Sequence, residues 1–188
     1  IVANRYGANQ ASEFSEIDYL GYPLSVSETF QLRNTRKTIS QSFEIVEDMQ
    51  KICQKYDKKL LVYLSMAFGN PYGDSYSPEI LEEFTEKLDQ IGIGIIQISD
   101  TIGVSEPKII QQIFSSLLQK FPNIEFGAHF HSANHSANEK VKSALDAGCQ
   151  RFDGAIGGYG GCPMAKDELT GNITTEQMTQ LFLSENNY

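Results

Sequence analysis

The strongest constraint on the fold is a strand in the middle of the chain that is built almost entirely of isoleucine. Residues 93–98 read IGIIQI and are followed at once by the polar Ser99 and Asp100. A strand this apolar is typical of a parallel sheet, whose strands are covered by other elements on both faces. The chain is therefore expected to alternate strands with helices rather than to form hairpins.

The rest of the sequence follows that alternation. Strands are predicted at residues 17–20, 59–66, 93–98, 123–131 and 150–156. Helices are predicted at residues 8–14, from Thr38 or Ser40 to Tyr56, from Pro78, from Pro107, at 137–147 and from Thr174 or Thr175. Polar residues end the confident strands, as in a (β/α)₈ TIM barrel, where the loops after the strands carry the chemistry. A doubly wound open sheet is the alternative, although no glycine-rich phosphate turn follows an early strand.

Composition narrows the classes of partner. The net charge of −9 and the scattered basic residues argue against nucleic acid. No apolar run approaches the roughly 20 residues of a membrane span, and no signal segment opens the chain. The three cysteines have no paired spacing, which favours a reducing compartment such as the cytoplasm, or the mitochondrial matrix in a eukaryote.

Two histidines at the end of the fourth predicted strand are the main chemical signal. His129 and His131 flank Phe130, and because strand side chains alternate between faces, both imidazoles point the same way. This spacing allows two rings to hold one metal ion. The alternative is a polar strand end whose rings are solvated or bonded to backbone. His135, on the loop beyond, is given no role.

Asp100 ends the preceding strand and is expected beside the histidine strand. It could bind a metal, orient an imidazole or place a charge near substrate. It could equally cap its own loop, and the sequence leaves these alternatives open.

Cys162 stands in the glycine-rich stretch IGGYGGCP and is the most reactive-looking thiol of the chain. Such a loop can close over a ligand and allow close backbone approach, although a plain linker has the same composition. Cys53 lies at helical spacing among apolar residues and Cys149 precedes a strand, so both are expected to be buried.

Several stretches together resemble the 3-hydroxy-3-methylglutaryl-CoA lyase family. They are SMAFGNPY at residues 65–72, ISDTIGV at 98–104, AHFH at 128–131, FDGAIGGYGGCP at 152–163 and Gly171-Asn172. They occur in the family's order and correspond to its third to eighth βα units. The histidine strand is shared with related synthases, whereas the Gly-Gly-Cys-Pro loop followed by Gly-Asn indicates the lyase.

The resemblance implies a metal-dependent carbon–carbon lyase that cleaves 3-hydroxy-3-methylglutaryl-CoA to acetyl-CoA and acetoacetate. A divalent cation, Mg²⁺ or Mn²⁺, would be held by His129, His131 and Asn172. Cys162, His129 and Asp100 would be catalytic, and Tyr63 and Ser65 would lie near substrate. The resemblance also implies an acyl-CoA partner and a homo-oligomer, with neither nucleic acid nor membrane as a partner.

One part of the family pattern has no counterpart in these 188 residues. The family's first strand carries an Arg-Asp motif that supplies a catalytic arginine and a metal-binding aspartate, and Asp153-Gly154 on the last strand does not replace it. The chain is thus expected to be one incomplete barrel domain, residues 1–188. The remaining alternatives are a synthase that condenses acetyl-CoA with a 2-oxo acid, and a barrel fragment without catalysis.

Overall fold

The computed structural model describes residues 1–161 and 171–185. Five strands form one parallel sheet in which each strand lies beside its neighbour in the chain, in the order β1-β2-β3-β4-β5. The strands are β1 (Tyr19–Ser25), β2 (Lys59–Ser65), β3 (Ile95–Asp100), β4 (Glu125–Phe130) and β5 (Arg151–Asp153). A doubly wound sheet would reverse its strand order, so the barrel-type arrangement is confirmed as an open, partial barrel.

Helices separate the strands and cover one face of the sheet. They are α1 (Arg5–Ser12), α2 (Glu28–Thr35), α3 (Ile39–Lys55), α4 (Pro78–Ile91), α5 (Pro107–Lys120), α6 (Asn134–Asp146) and α7 (Thr175–Glu185), with a 3₁₀ turn at Ile156–Gly158. Among the described residues, no helix is long and apolar enough to cross a membrane.

Local signals explain where the long helices begin. Thr38 accepts a hydrogen bond from Gln41 N, and the Gln41 side chain bonds back to Thr38 N, which makes a capping box at α3. Ser77 caps α4 with Pro78 in the first position, as the sequence predicts. The boundaries of these two helices therefore follow from local chemistry.

Alternation along the strands divides the sheet into two faces. Even-numbered side chains such as Val62, Ile96 and Phe126 are buried beneath the helices. Odd-numbered side chains such as Tyr63 and His129 face the opposite, concave side. The polar residues of the sheet thus collect on the face that a closed barrel would enclose.

The structure differs from the predicted elements in three places. The first strand continues past residue 20 to Ser25, through Gly21 and Pro23. Proline is tolerated because β1 is the outer strand of the described sheet, where a missing N–H costs no ladder bond. In addition, α2 occupies residues for which no helix is predicted, and β5 ends at Asp153 rather than at residue 156.

Candidate active site

A cavity of about 350 Å³ lies at the carboxyl ends of the strands. Its walls on the sheet side are the odd-numbered residues of β1 to β4 and their extensions: Pro23, Tyr63, Ser65, Ser99, His129 and His131. In parallel α/β folds this edge is where ligands bind. The predicted site residues of β2 and β4 therefore meet in one cavity.

The two histidines lie side by side in this cavity. Their ring centroids are 5.3 Å apart, with 65° between the ring planes. The Nδ1 atoms of both rings are buried and have no hydrogen-bond partner. A buried polar atom without a partner is costly. A metal ion or a ligand is one way to satisfy Nδ1 of His131, whereas Nδ1 of His129 lies 3.6 Å from the Asp153 carboxylate.

His131 is held in its neutral form. Burial, and secondly the neighbouring His129, lower the pKa of His131, whereas smaller contacts with Thr101, Asp100 and Asn172 act in the opposite direction. Neutral imidazole is the form that binds a metal ion. The His131 environment thus fits the predicted ligand role.

Asn172 reaches the same place from beyond the glycine-rich stretch. It pairs with His131 in an isolated antiparallel bridge, and its Nδ2 donates to the Tyr159 carbonyl at 2.9 Å. The amide nitrogen is therefore engaged, which leaves the oxygen as the ligand atom that a hard cation prefers. Two imidazoles and one amide fit a divalent cation, although no three His, Cys, Asp or Glu side chains within residues 1–161 and 171–185 form a metal cluster.

Tyr63 and Ser65 also line the cavity. The Tyr63 ring meets His129 edge-on at a centroid distance of 5.4 Å. Burial, and secondly the nearby Asp153 carboxylate, raise the pKa of Tyr63, so it stays a neutral hydrogen-bond donor. Both residues lie where the predicted contact with substrate requires them.

Asp100 does not face the cavity. Its Oδ1 accepts from Val104 N, and its Oδ2 accepts from Ser105 N, Ser105 Oγ and Lys140 Nζ, the last at 2.7 Å. It is 1% exposed and lies on the helix-covered side of β3. Of the alternatives that the sequence leaves open, this geometry favours the loop cap, and a catalytic role for Asp100 stays a prediction.

Lys140, the cation opposite Asp100, was missed by the sequence reasoning. Besides Asp100 it bonds the Gly103 carbonyl at 2.9 Å and the His131 carbonyl at 3.4 Å. A signal was available, because Ala137, Lys140 and Val141 share the buried stripe of α6 at i, i+3 and i+4 spacing. A lysine on such a stripe needs a buried anion.

The cysteines divide as follows. Cys53 and Cys149 are free and buried, as predicted. Burial raises the pKa of Cys53 to about 11 and that of Cys149 to about 12, which makes both thiols poor nucleophiles. Cys162 lies outside the described residues, so its catalytic role stays a prediction.

Helix α2 forms the wall opposite the histidines, through Phe30 and Asn34. Its first turn is fixed by Asp74 from the β2–α4 loop. The carboxylate of Asp74 accepts from Ser27 Oγ at 2.6 Å, Thr29 N at 2.9 Å and Thr29 Oγ1 at 3.0 Å. The loops after β1 and β2 are therefore joined above the cavity.

A parallel partial barrel with a histidine pair at the carboxyl end of a strand is typical of the TIM-barrel class, in which the strand ends carry the site. Comparison with known families gives the particular family. The HMGL-like family model matches residues 4–185, and the protein belongs to the HMGL-like family. The predicted resemblance is confirmed.

Similar proteins are lyases. Hydroxymethylglutaryl-CoA lyase YngG of Bacillus subtilis is 33% identical over 181 residues, which is 96% of this chain and 60% of the relative. The crystal structure of the B. subtilis HMG-CoA lyase superposes with a TM-score of 0.88 at 32% identity, covering 97% of this chain and 61% of that one. An A. baumannii HMG-CoA lyase in complex with coenzyme A and 3-methylmalate gives 0.87 at 30% identity, covering 97% and 59%.

Proposed function

We propose that the protein cleaves 3-hydroxy-3-methylglutaryl-CoA to acetyl-CoA and acetoacetate with the help of a divalent cation. The supporting observation is the His129–His131 pair with Asn172 at the mouth of the strand-end cavity, in a chain of the HMGL-like family. The chain spans about three-fifths of the B. subtilis lyase. Activity is therefore proposed for the protein as expressed from its complete gene.

His129, His131 and Asn172 would hold the cation, Mg²⁺ or Mn²⁺. When bound, it would supply Lewis acidity to the 3-hydroxyl and carboxylate oxygens of the substrate. His129 also faces the cavity; we propose that, when the cation is held by His131 and Asn172 alone, the free Nε2 of His129 takes up the hydroxyl proton that must leave. As that proton leaves, the C2–C3 bond breaks, its electron pair forms the enolate of acetyl-CoA, and the 3-carbon becomes the ketone of acetoacetate.

The enolate must then take up one proton. Cys162, on the glycine-rich stretch, is proposed as its donor. Tyr63 and Ser65 would position the substrate from the β2 side of the cavity.

The acyl-CoA substrate is supported by the coenzyme A bound in the A. baumannii relative. The free, buried thiols of Cys53 and Cys149 support a reducing compartment. Assembly into a homo-oligomer stays a prediction.

The test is acetoacetate formation from the CoA substrate in the presence of Mg²⁺ or Mn²⁺. His131→Ala is expected to lower both kcat/KM and Mn²⁺ affinity at least about 100-fold, because a ligand atom is lost. Cys162→Ala is expected to lower kcat by about 10²- to 10⁴-fold with Mn²⁺ affinity retained, because a proton donor is lost.

His135→Ala is the matched control, since His135 is exposed near the start of α6, and it should match the parent protein. Activity unchanged in the His131 and Cys162 variants would reject the site. Consumption of acetyl-CoA with a 2-oxo acid, with the lyase substrate left intact, would indicate a synthase. Absence of any Mn²⁺ affinity would favour a non-catalytic role.

A further inference from the structure

Asp153, at the end of β5, faces the free nitrogen of His129. The two residues are register partners across the sheet. Asp153 Oδ2 lies 3.6 Å from His129 Nδ1, and that nitrogen is buried without a hydrogen-bond partner. The carboxylate thus lies just beyond hydrogen-bond distance of this nitrogen.

Gln97 holds the other oxygen of the same carboxylate. Its Nε2 donates to Asp153 Oδ1 at 3.0 Å, and the Gln97 side chain is fully buried. This donor fixes the rotation of the carboxylate, so Oδ1 stays with Gln97 and Oδ2 stays with His129. The Tyr63 hydroxyl bonds the same carboxylate from β2, so Gln97, Tyr63 and His129 all face Asp153.

Gly127 makes room for this contact. It is the register partner of Gln97 on β4, and a Cβ at Gly127 would lie 1.9 Å from Gln97 Oε1 and 2.7 Å from Nε2. Any side chain at this position would push the amide aside. Because the amide crosses β4 to reach β5, the missing Cβ is a requirement of the Gln97–Asp153 bond.

We propose that Asp153 is a positioning residue that keeps the proton of neutral His129 on Nδ1, so that the lone pair of Nε2 is the one available to a ligand. A neutral imidazole carries one N–H and one lone pair, and the hydrogen bond at one nitrogen decides the role of the other. Carboxylates orient metal-binding histidines in this way. The use of Nε2 for a divalent cation rests on the proposed function, whereas the proton position does not.

Asp153→Asn tests this with a side chain of nearly equal volume. With the Gln97 amide in its present orientation, Nε2 donates to the asparagine oxygen in the place of Oδ1, and the NH₂ group faces His129. Nδ1 must then accept a hydrogen bond, which moves the proton to Nε2. One substitution of nearly equal volume therefore reverses the expected tautomer.

The experiment uses the protein from its complete gene, without metal, with ¹⁵N-labelled histidine. Ring nitrogen shifts are recorded at a pH where His129 is neutral. The parent protein should show His129 as Nδ1–H, and Asp153→Asn should show it as Nε2–H. Titration with Mn²⁺ should then give a dissociation constant raised about 10- to 100-fold in the variant.

Glu139→Gln is the matched control, since it converts a carboxylate to an amide on the exposed side of α6. It should keep the parent tautomer and Mn²⁺ affinity. If Asp153→Asn fails to fold, Gly127→Ala displaces Gln97 while keeping the aspartate. That variant should show a mixture of the two tautomers.

An Nε2–H tautomer in the parent protein overturns the proposal, and so does an unchanged tautomer in both the Asp153 and Gly127 variants. A switched tautomer with unchanged Mn²⁺ affinity overturns the link to the cation. A parent protein that shows the Nδ1–H tautomer but binds no Mn²⁺ supports the positioning role and rejects the proposed function. The two failures are therefore distinguishable.

Discussion

At the scale of single residues, two aspartates at strand ends have different surroundings. Asp153 faces the cavity side of the sheet, where it neighbours His129. Asp100 is 1% exposed on the helix side, where it neighbours Lys140. The difference is one of parity along the strand, because adjacent strand residues point to opposite faces.

Lys140→Met is expected to lower the free energy of unfolding by about 3–5 kcal/mol, since it leaves the Asp100 carboxylate buried without its cation. Adding Asp100→Asn should recover much of that loss. Urea denaturation measures both variants. Lys142→Met, two residues along the same helix and exposed beside Asp146, should change stability by less than about 1 kcal/mol. Equal losses for the two lysines would contradict the buried pair.

The histidine pair could be predicted from sequence because its signal is local: i and i+2 spacing at a strand end suffices. The Asp100 role could not, because its face depends on the register with β4, which places Asp100 opposite Phe130 and Ser99 opposite His129. The neighbours of Asp153 could not be predicted for a similar reason, because His129 and Gln97 lie on two other strands.

At the scale of elements, α2 is the clearest departure from the sequence expectation. Its eight residues, ETFQLRNT, bury only Phe30 and Gln31, so no amphipathic stripe identifies a helix. Its stability comes from tertiary contacts, namely the Asp74 carboxylate at its first turn and Arg33 stacked over Tyr72 at 4.7 Å. Helices made stable by distant residues leave little trace in local periodicity.

Asp74→Asn is expected to destabilise the protein by about 1 kcal/mol at pH 7, the usual cost of weakening a helix cap. Hydrogen bonds from Ser27 Oγ and then Thr29 N lower the pKa of Asp74. A lowered folded-state pKa means that the stabilisation is complete above the unfolded value of about 3.9 and is lost as pH falls through the folded value.

The free energies of unfolding of the parent protein and Asp74→Asn should therefore differ less at acidic pH. Urea denaturation at pH 7 and near pH 3 measures both. Asp89→Asn, on the exposed side of α4, serves as the control and should show little change at either pH. A difference that does not depend on pH would show that charge on Asp74 is not what holds α2.

At the scale of the whole molecule, strand order and layer arrangement were predictable because they follow from alternating patterns and from the apolar β3. The extent of the outer strands was not. Gly21 and Pro23 end a strand by local rules, yet β1 continues through them because its outer side carries no ladder in the described sheet. Similarly, β5 is three residues long because the chain beyond it pairs with the segment before α7, where Ala155 bonds Ile173 and Thr175.

The bond between Asp74 and α2 has a consequence for ligand entry. The wall of the cavity that carries Phe30 and Asn34 is assembled when the chain folds, since its helix is anchored by a loop from the next strand. The conformational entropy of α2 is therefore lost when the chain folds, and not when a ligand binds. A ligand that enters the cavity over α2 meets a preformed surface. Substitutions that remove the bonds between Asp74 and α2 should therefore weaken binding of that ligand, although Asp74 does not contact it.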